Sequence, residues 1–302
     1  GIRKAYFVKN YSLLLPGLKV DKLNFHVSDY ELISSTYGIT IHGIIGNSFF
    51  RQFIAQIDYD NQEISIYHPG EFNYPTKGFL IKPMFTSYPT YNVSFKEHIK
   101  LNVPSIVDIG AGVNFIAVAS LNKETPYFKK NKKSYETYVG GLGGKKTMQL
   151  TVLDKLKFGP YAFRKVPILE FEDDFKLLNY PSLGGILGND LLRRFNLVLN
   201  YPSQVIHFSP NKYFNDYFDY SYTGMSVYLI NHLVTIEDII PNSPAEKAGL
   251  LSGDILIALN GRLVTNLDEY KRIMAMSEGK TKITIFREGK YYEKKIRIIN
   301  IK

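Results

Sequence analysis

A block near the start of the chain recurs 142 positions later (185 − 43), and this repeat limits the possible folds more than any other feature. Gly43-Ile44 falls on Gly185-Ile186, and Gly46-Asn47 falls on Gly188-Asn189. Arg51 and Phe53 fall on Arg193 and Phe195; Tyr59, Gln62 and Ile64 fall on Tyr201, Gln204 and Ile206. Upstream, Asp21-Lys22-Leu23 and Phe25 match Asp154-Lys155-Leu156 and Phe158 at an offset of 133 (154 − 21). The second copy therefore carries extra residues between the two blocks. Chance rarely keeps Gly, Asn, Arg, Phe and Tyr in order over such a stretch, so the chain reads as a duplicated lobe. The second copy has a long front half, about 79–150, whose counterpart in the first would precede residue 1. The first copy is thus read as the back half of a lobe.

The repeated blocks read as strands. Ile54–Tyr59 and Glu63–Tyr67 are short β-rich runs split by a turn at Asp60-Asn61. Leu197–Tyr201 and Gln204–Phe208 follow the same plan around Pro202-Ser203. Long amphipathic helices are missing from the first two-thirds. At 302 residues the chain has room for about two to two and a half domains, and 45% hydrophobic with 22% charged residues is enough for packed cores. After about residue 212 the pattern changes. Asn211 to Tyr222 reads as a connector. Beyond it, strands at Val227–Ile230, Leu233–Ile240, Ile255–Leu259, Lys282–Arg287 and Tyr291–Ile299 alternate with two helices. One helix follows Ser243-Pro244 and stops at Gly249; the other is capped by Asn266 and runs through Met274. The boundaries expected are 1–75 for a partial first lobe, 76–212 for a complete second lobe and 220–302 for a C-terminal domain.

Three motifs in the second copy could carry chemistry. Ser105-Ile106-Val107-Asp108-Ile109-Gly110-Ala111 is an apolar strand that delivers one carboxylate into a turn of small residues. Gly185-Ile186-Leu187-Gly188 can pass beneath such a turn without filling the space above it. Between them, Gly140, Gly141, Leu142, Gly143 and Gly144 suit the tip of a hairpin.

In this order the motifs resemble a lobe of the retropepsin-like aspartic peptidases. The resemblance covers about 79–210 in full and 1–70 in part. It implies a mainly β fold of acid-protease barrel lobes, the first partial and the second complete. It also implies Asp108 as the catalytic carboxylate, Ile109, Gly110 and Ala111 as its turn, Gly140 to Gly144 as the flap, and Leu191 to Phe195 as the following helix. Ile109 departs from the family's Thr or Ser, whose hydroxyl braces the active-site turns. Peptide hydrolysis of this type needs two carboxylates close enough that only one ionises, giving a base and an acid around one water. Subtracting either offset from 108 gives a negative number, so the partner Asp is expected upstream of Gly1 or from a second copy of the chain in a homodimer. The function this implies is an aspartic endopeptidase acting on peptides or unfolded proteins. The alternative is a catalytically inactive peptide-binding or scaffold protein of the same fold.

The C-terminal segment resembles a PDZ domain of the bacterial, protease-associated kind. Pro241-Asn242-Ser243-Pro244-Ala245-Glu246-Lys247-Ala248-Gly249-Leu250, Ser252-Gly253-Asp254-Ile255-Leu256 and Asn260-Gly261 carry the match over about 222–300. The resemblance implies strand addition of a peptide beside Gly224, Met225, Ser226 and Val227. Its C-terminal carboxylate would rest on loop N–H groups, and Ile273 on the long helix would form the facing wall. Asp254 and Asn260 read as turn-stabilising. A bacterial envelope location, periplasmic or secreted, follows by analogy with such protease-associated modules.

Other chemistries have little to stand on. The chain has no Cys, which removes disulfides, zinc thiolates and a cysteine nucleophile. The six His show no metal-ligand spacing, and no metal or organic cofactor is implied. Ser and His occur without a nucleophile elbow. In Gly140 to Thr147 the Gly-Lys pair is followed by Lys146 rather than by the Ser or Thr of a phosphate-binding loop, and Glu170 to Asp174 reads as a solvated acidic loop. The net charge of +9 is spread over separate lysine pairs without an aromatic stacking motif, so nucleic acid is not an expected partner. No apolar run reaches the roughly 20 residues of a membrane span. The leading Gly without Met and the missing signal peptide suggest a trimmed start.

Overall fold

The computed structural model describes residues 6–85, 88–97, 99–119, 123, 125, 126, 128, 131–141, 143–172 and 183–302. Two compact units emerge from the path of the chain. The first gathers residues 1–49, 138–146 and 223–297; the second gathers 50–137, 147–222 and 298–302.

The second unit contains a closed six-strand barrel. Its strands are β7 (Pro89–Lys96), β8 (Lys100–Val107), β9 (Phe115–Val118), β11 (Gly144–Phe158), β12 (Tyr161–Phe171) and β13 (Gly185–Leu187). Going round, β7 pairs with β8, β8 with β13, β13 with β9, β9 with β12, and β12 with β11. The ring closes through β11 and β7, where Leu156 faces Phe95. Closure removes exposed strand edges. Alternate side chains fill the interior, as expected of a small barrel. Val93, Phe95, Val103, Phe115, Leu153, Leu156, Val166 and Leu187 are all buried in one core.

The duplication is visible as pairing. β3 (Ile54–Asp58) and β4 (Glu63–Tyr67) come from the first copy; β14 (Phe195–Asn200) and β15 (Val205–Pro210) come from the second. They form one sheet in the order β4-β3-β14-β15-β5, with β5 spanning Phe79–Ile81. In the antiparallel β3–β14 pair, Gln56 faces Val198. The repeat offset superposes these same two residues, so the copies meet about a local two-fold axis. Besides the closed barrel, the architecture comprises a half-barrel and a PDZ domain. The mainly β expectation holds.

Two expectations about local structure change. Leu191 to Phe195 is not one helix. A helical turn, α3, covers Asn189–Leu192, and Phe195 already opens β14. The stretch read as a connector is fastened down. Buried Arg194 donates to the carbonyl oxygens of Phe214 (3.2 Å) and Asp216 (2.6 Å) and lies over the Phe218 ring. Phe214 packs edge-on to Phe195.

The first unit opens with the hairpin of β1 (Tyr6–Leu15) and β2 (Leu18–Val27), followed by α1 (Glu31–Tyr37) and α2 (Asn47–Phe50). Its main sheet holds β17 (Met225–Ile230), β18 (Leu233–Ile239), β19 (Ile255–Leu259), β21 (Gly279–Arg287) and β22 (Lys290–Asn300), with β17 at one end of the order. Helix α4 (Pro244–Lys247) starts where expected, with the Ser243 hydroxyl accepting the Glu246 N–H. Helix α5 (Leu267–Ala275) is capped by Asn266, whose Oδ1 accepts the Glu269 N–H at 2.8 Å. Buried Asp254 holds its turn by accepting from Arg287 Nη2 (2.7 Å) and the Leu251 N–H (2.8 Å). Asn260 does similar work, accepting the Lys282 N–H at 2.9 Å. Both match their expected turn-stabilising roles.

Candidate functional site

In the second unit, Asp108 follows the last residue of β8 and is half-buried. Its N–H donates to the Leu187 carbonyl at 2.9 Å, so β13 does run beneath the turn. Its carboxylate Oδ1 accepts the Gly110 N–H at 2.8 Å. The Asn189 N–H donates to the Ala111 carbonyl at 2.6 Å, which ties the start of α3 to the same turn. Gly188 permits this packing: a Cβ there would collide with the carbonyl oxygens of Val113 and Ala111. Ile109 is partly buried against the barrel core. Burial and the nearby Asp108 carboxylate push the Tyr201 phenol up to about 12. Its repeat counterpart Tyr59 donates its hydroxyl to Asn189 Oδ1 at 2.6 Å, and burial raises that phenol too.

The glycine stretch does form a hairpin tip, where β10 (Tyr135–Gly141) turns into β11. Leu142 lies outside the described residues. The tip belongs to the first unit and touches PDZ strands. Lys145 Nζ lies 2.9 Å from Asp238 Oδ2 and 5.0 Å from the Tyr228 ring centroid. A Cβ on Gly140 would sit 3.1 Å from Thr36 Oγ1 and 3.8 Å from the Tyr228 hydroxyl.

The residues expected at a peptide groove come together in that same unit. β17 has β18 on one side; among the described residues, no strand covers the other. Helix α5 packs against β17 and carries buried Ile273. The loop ahead of β17 is pinned in place. The Gly224 carbonyl accepts the Ile240 N–H at 2.7 Å, and the Thr223 carbonyl accepts the Ala245 N–H at 2.9 Å. Gly224 itself has φ 72, a left-handed conformation that favours glycine. The Met225 N–H faces the Thr223 hydroxyl at 3.4 Å. Ser226 and Val227 are half-buried on the strand. Burial and the Asp238 carboxylate push the Tyr228 phenol up to about 12. Lys145, Thr36 and Tyr228 were not singled out from sequence. Lys145 meets Asp238 across 93 residues of sequence and Thr36 meets Gly140 across 104 (140 − 36), and no local pattern marks these contacts.

Ser209 and His207 stand near each other, with Oγ 3.4 Å from Nδ1. They are neighbours on one face of β15, and the Ser209 hydroxyl also donates to the Lys77 carbonyl at 2.9 Å. That geometry is structural rather than nucleophilic.

Residues 235–287 match the family model described as a PDZ domain. The chain therefore carries a PDZ domain, as its motifs implied. A probable periplasmic serine protease do/HhoA-like of Haemophilus influenzae is 35% identical over 65 residues, covering 21% of this chain and 14% of that protein. A probable periplasmic serine endoprotease DegP-like of Marinomonas sp. is 39% identical over 57 residues, covering 18% and 12%. The chain thus spans only 12–14% of the length of these curated relatives. Among solved structures, a retropepsin-like aspartic protease from Rickettsia conorii aligns at 14% identity and a TM-score of 0.33, covering 44% of this chain and 99% of that one.

These relatives correct one expectation. The function implied by the first resemblance was an aspartic endopeptidase with Asp108 as half of a carboxylate pair. The curated relatives are instead named serine proteases. The Asp-dyad function is withdrawn on that finding.

Proposed function

We propose that this chain is a peptide-binding component of proteolysis, in which the PDZ domain takes up a peptide as an added strand along β17. The observation that carries this reading is the open edge of β17 with α5 packed against it, β17 lying just ahead of residues 235–287, which match the PDZ family and include α5. Gly224, Met225, Ser226 and Val227 would supply the backbone edge and the carboxylate-binding loop, with Ile273 on the facing wall. A free edge offers a row of N–H and C=O groups already spaced for a partner strand. The names of the relatives support the link to proteolysis and to a periplasmic setting. No helix among the described residues is long and apolar enough to cross a membrane.

The test is fluorescence polarisation of the full chain with octapeptides selected from a C-terminally randomised library. The reading expects binding on the order of 1 μM for peptides with a free carboxylate. C-terminal amidation should abolish it. Equal affinity for free and amidated peptides would remove the carboxylate loop from the account. A fluorophosphonate probe on the same protein addresses the serine chemistry of the relatives: a labelled serine would place a nucleophile in this chain.

A further inference from the structure

Helix α1 is a neighbour of the strand to which an incoming peptide would add. It packs against β17, the strand whose edge is open. Its last turn ends at Gly38, whose φ of 73 turns the chain away. A Cβ on Gly38 would sit 3.1 Å from Leu267 Cδ1, and Leu267 is the buried first residue of α5. One short segment therefore touches both walls of the groove. On its other flank, Thr36 meets Gly140 of the hairpin tip, which Lys145 fastens to Asp238 on β18. A peptide strand would need the space between β17 and α5.

We propose that residues 31–38 form an intramolecular plug over the PDZ groove, steadied by the hairpin tip at Gly140, so that peptide binding requires α1 to be displaced. The inference rests on the peptide-binding reading above. The helix is suited to release. It has seven residues, no side-chain N-cap and no fully buried side chain. A helix this short draws its stability from packing rather than from its own hydrogen bonds. Ser34 holds much of it together. Its N–H donates to the Tyr30 carbonyl at 2.8 Å, its carbonyl accepts the Gly38 N–H at 2.8 Å, and its hydroxyl accepts the Ile41 N–H at 3.0 Å. When the competent state is a minor fraction, apparent affinity falls by that fraction.

The experiment measures affinity for one library-selected octapeptide in three forms of the full chain: wild type, Ser34→Pro, and Thr36→Cys with Gly140→Cys. Ser34→Pro removes the N–H and hydroxyl bonds that shape α1 and leaves β17 and α5 unaltered. The double-cysteine form can pin α1 to the hairpin tip in a chain that otherwise has no Cys. The plug predicts about tenfold tighter binding by Ser34→Pro. It also predicts that the oxidised double-cysteine protein loses binding and regains it on reduction. Equal affinity in all forms overturns the plug and leaves peptide binding standing. Failure of every form, reduced and unpinned included, overturns peptide binding and the plug with it. Should Ser34→Pro misfold, hydrogen exchange on the wild type decides. Saturating peptide must lower protection across 31–38; unchanged protection there with peptide bound overturns the plug.

Discussion

Ile64 and Ile206 occupy the same position in the two copies of the repeat, yet one is 66% exposed and the other fully buried. The difference lies in what flanks each strand. β4 is the last strand of its sheet, while β15 has β14 on one side and β5 on the other. The glycines diverge in the same way. Nothing lies within 4 Å of a Cβ built on Gly46, whereas one built on Gly188 would strike two carbonyl oxygens. An identical residue pattern therefore does not fix a residue's environment. A pattern sets strand and turn; the neighbours that other segments supply set burial.

Stability measurements can break this contrast or sharpen it. The largest effect belongs to Ile206→Ala, expected to cost about 2–5 kcal/mol in urea unfolding because it opens a cavity in a packed core. Ile64→Ala should stay within about 0.5 kcal/mol. A comparable loss at both positions would mean that something covers β4. Next, Gly188→Ala should cost about 1–3 kcal/mol through overpacking beneath the Asp108 turn. Gly46→Ala should be near neutral by the same measurement. Tyr59→Phe removes the hydroxyl bond to Asn189 and should cost about 1 kcal/mol.

The smallest effect is a pH dependence confined to the second copy, where His207 stands at the position of Ser65. Burial holds the His207 pKa below its ordinary value. The unfolded chain then binds this proton more readily than the folded one, so stability is present above the unfolded pKa and declines as pH falls through about 6.5. The melting temperature of His207→Gln should vary less between pH 7 and pH 5 than that of the wild type.

Much of the fold was legible because its signals are local or repeated. Ser243-Pro244 and Asn266 announced their helices, and Asp254 and Asn260 announced their turns. The repeat forecast a duplicated strand pair, and β3 and β14 do pair about residues related by it. The Asp108 turn and the β13 segment beneath it also met as their order suggested. The activity attached to them did not carry over, because a turn motif states how the backbone bends and not which reaction occurs there. Nor could sequence foresee that α1 would lie on β17 or that Lys145 would reach Asp238. Both contacts depend on packing between remote segments, which leaves no periodic trace.

The most direct test of the account is amide hydrogen exchange on the full chain with and without a saturating octapeptide that ends in a free carboxylate. Strand addition predicts new protection along Met225–Ile230, the open edge of the PDZ sheet. Tight binding that leaves those amides unchanged and protects another surface would contradict it.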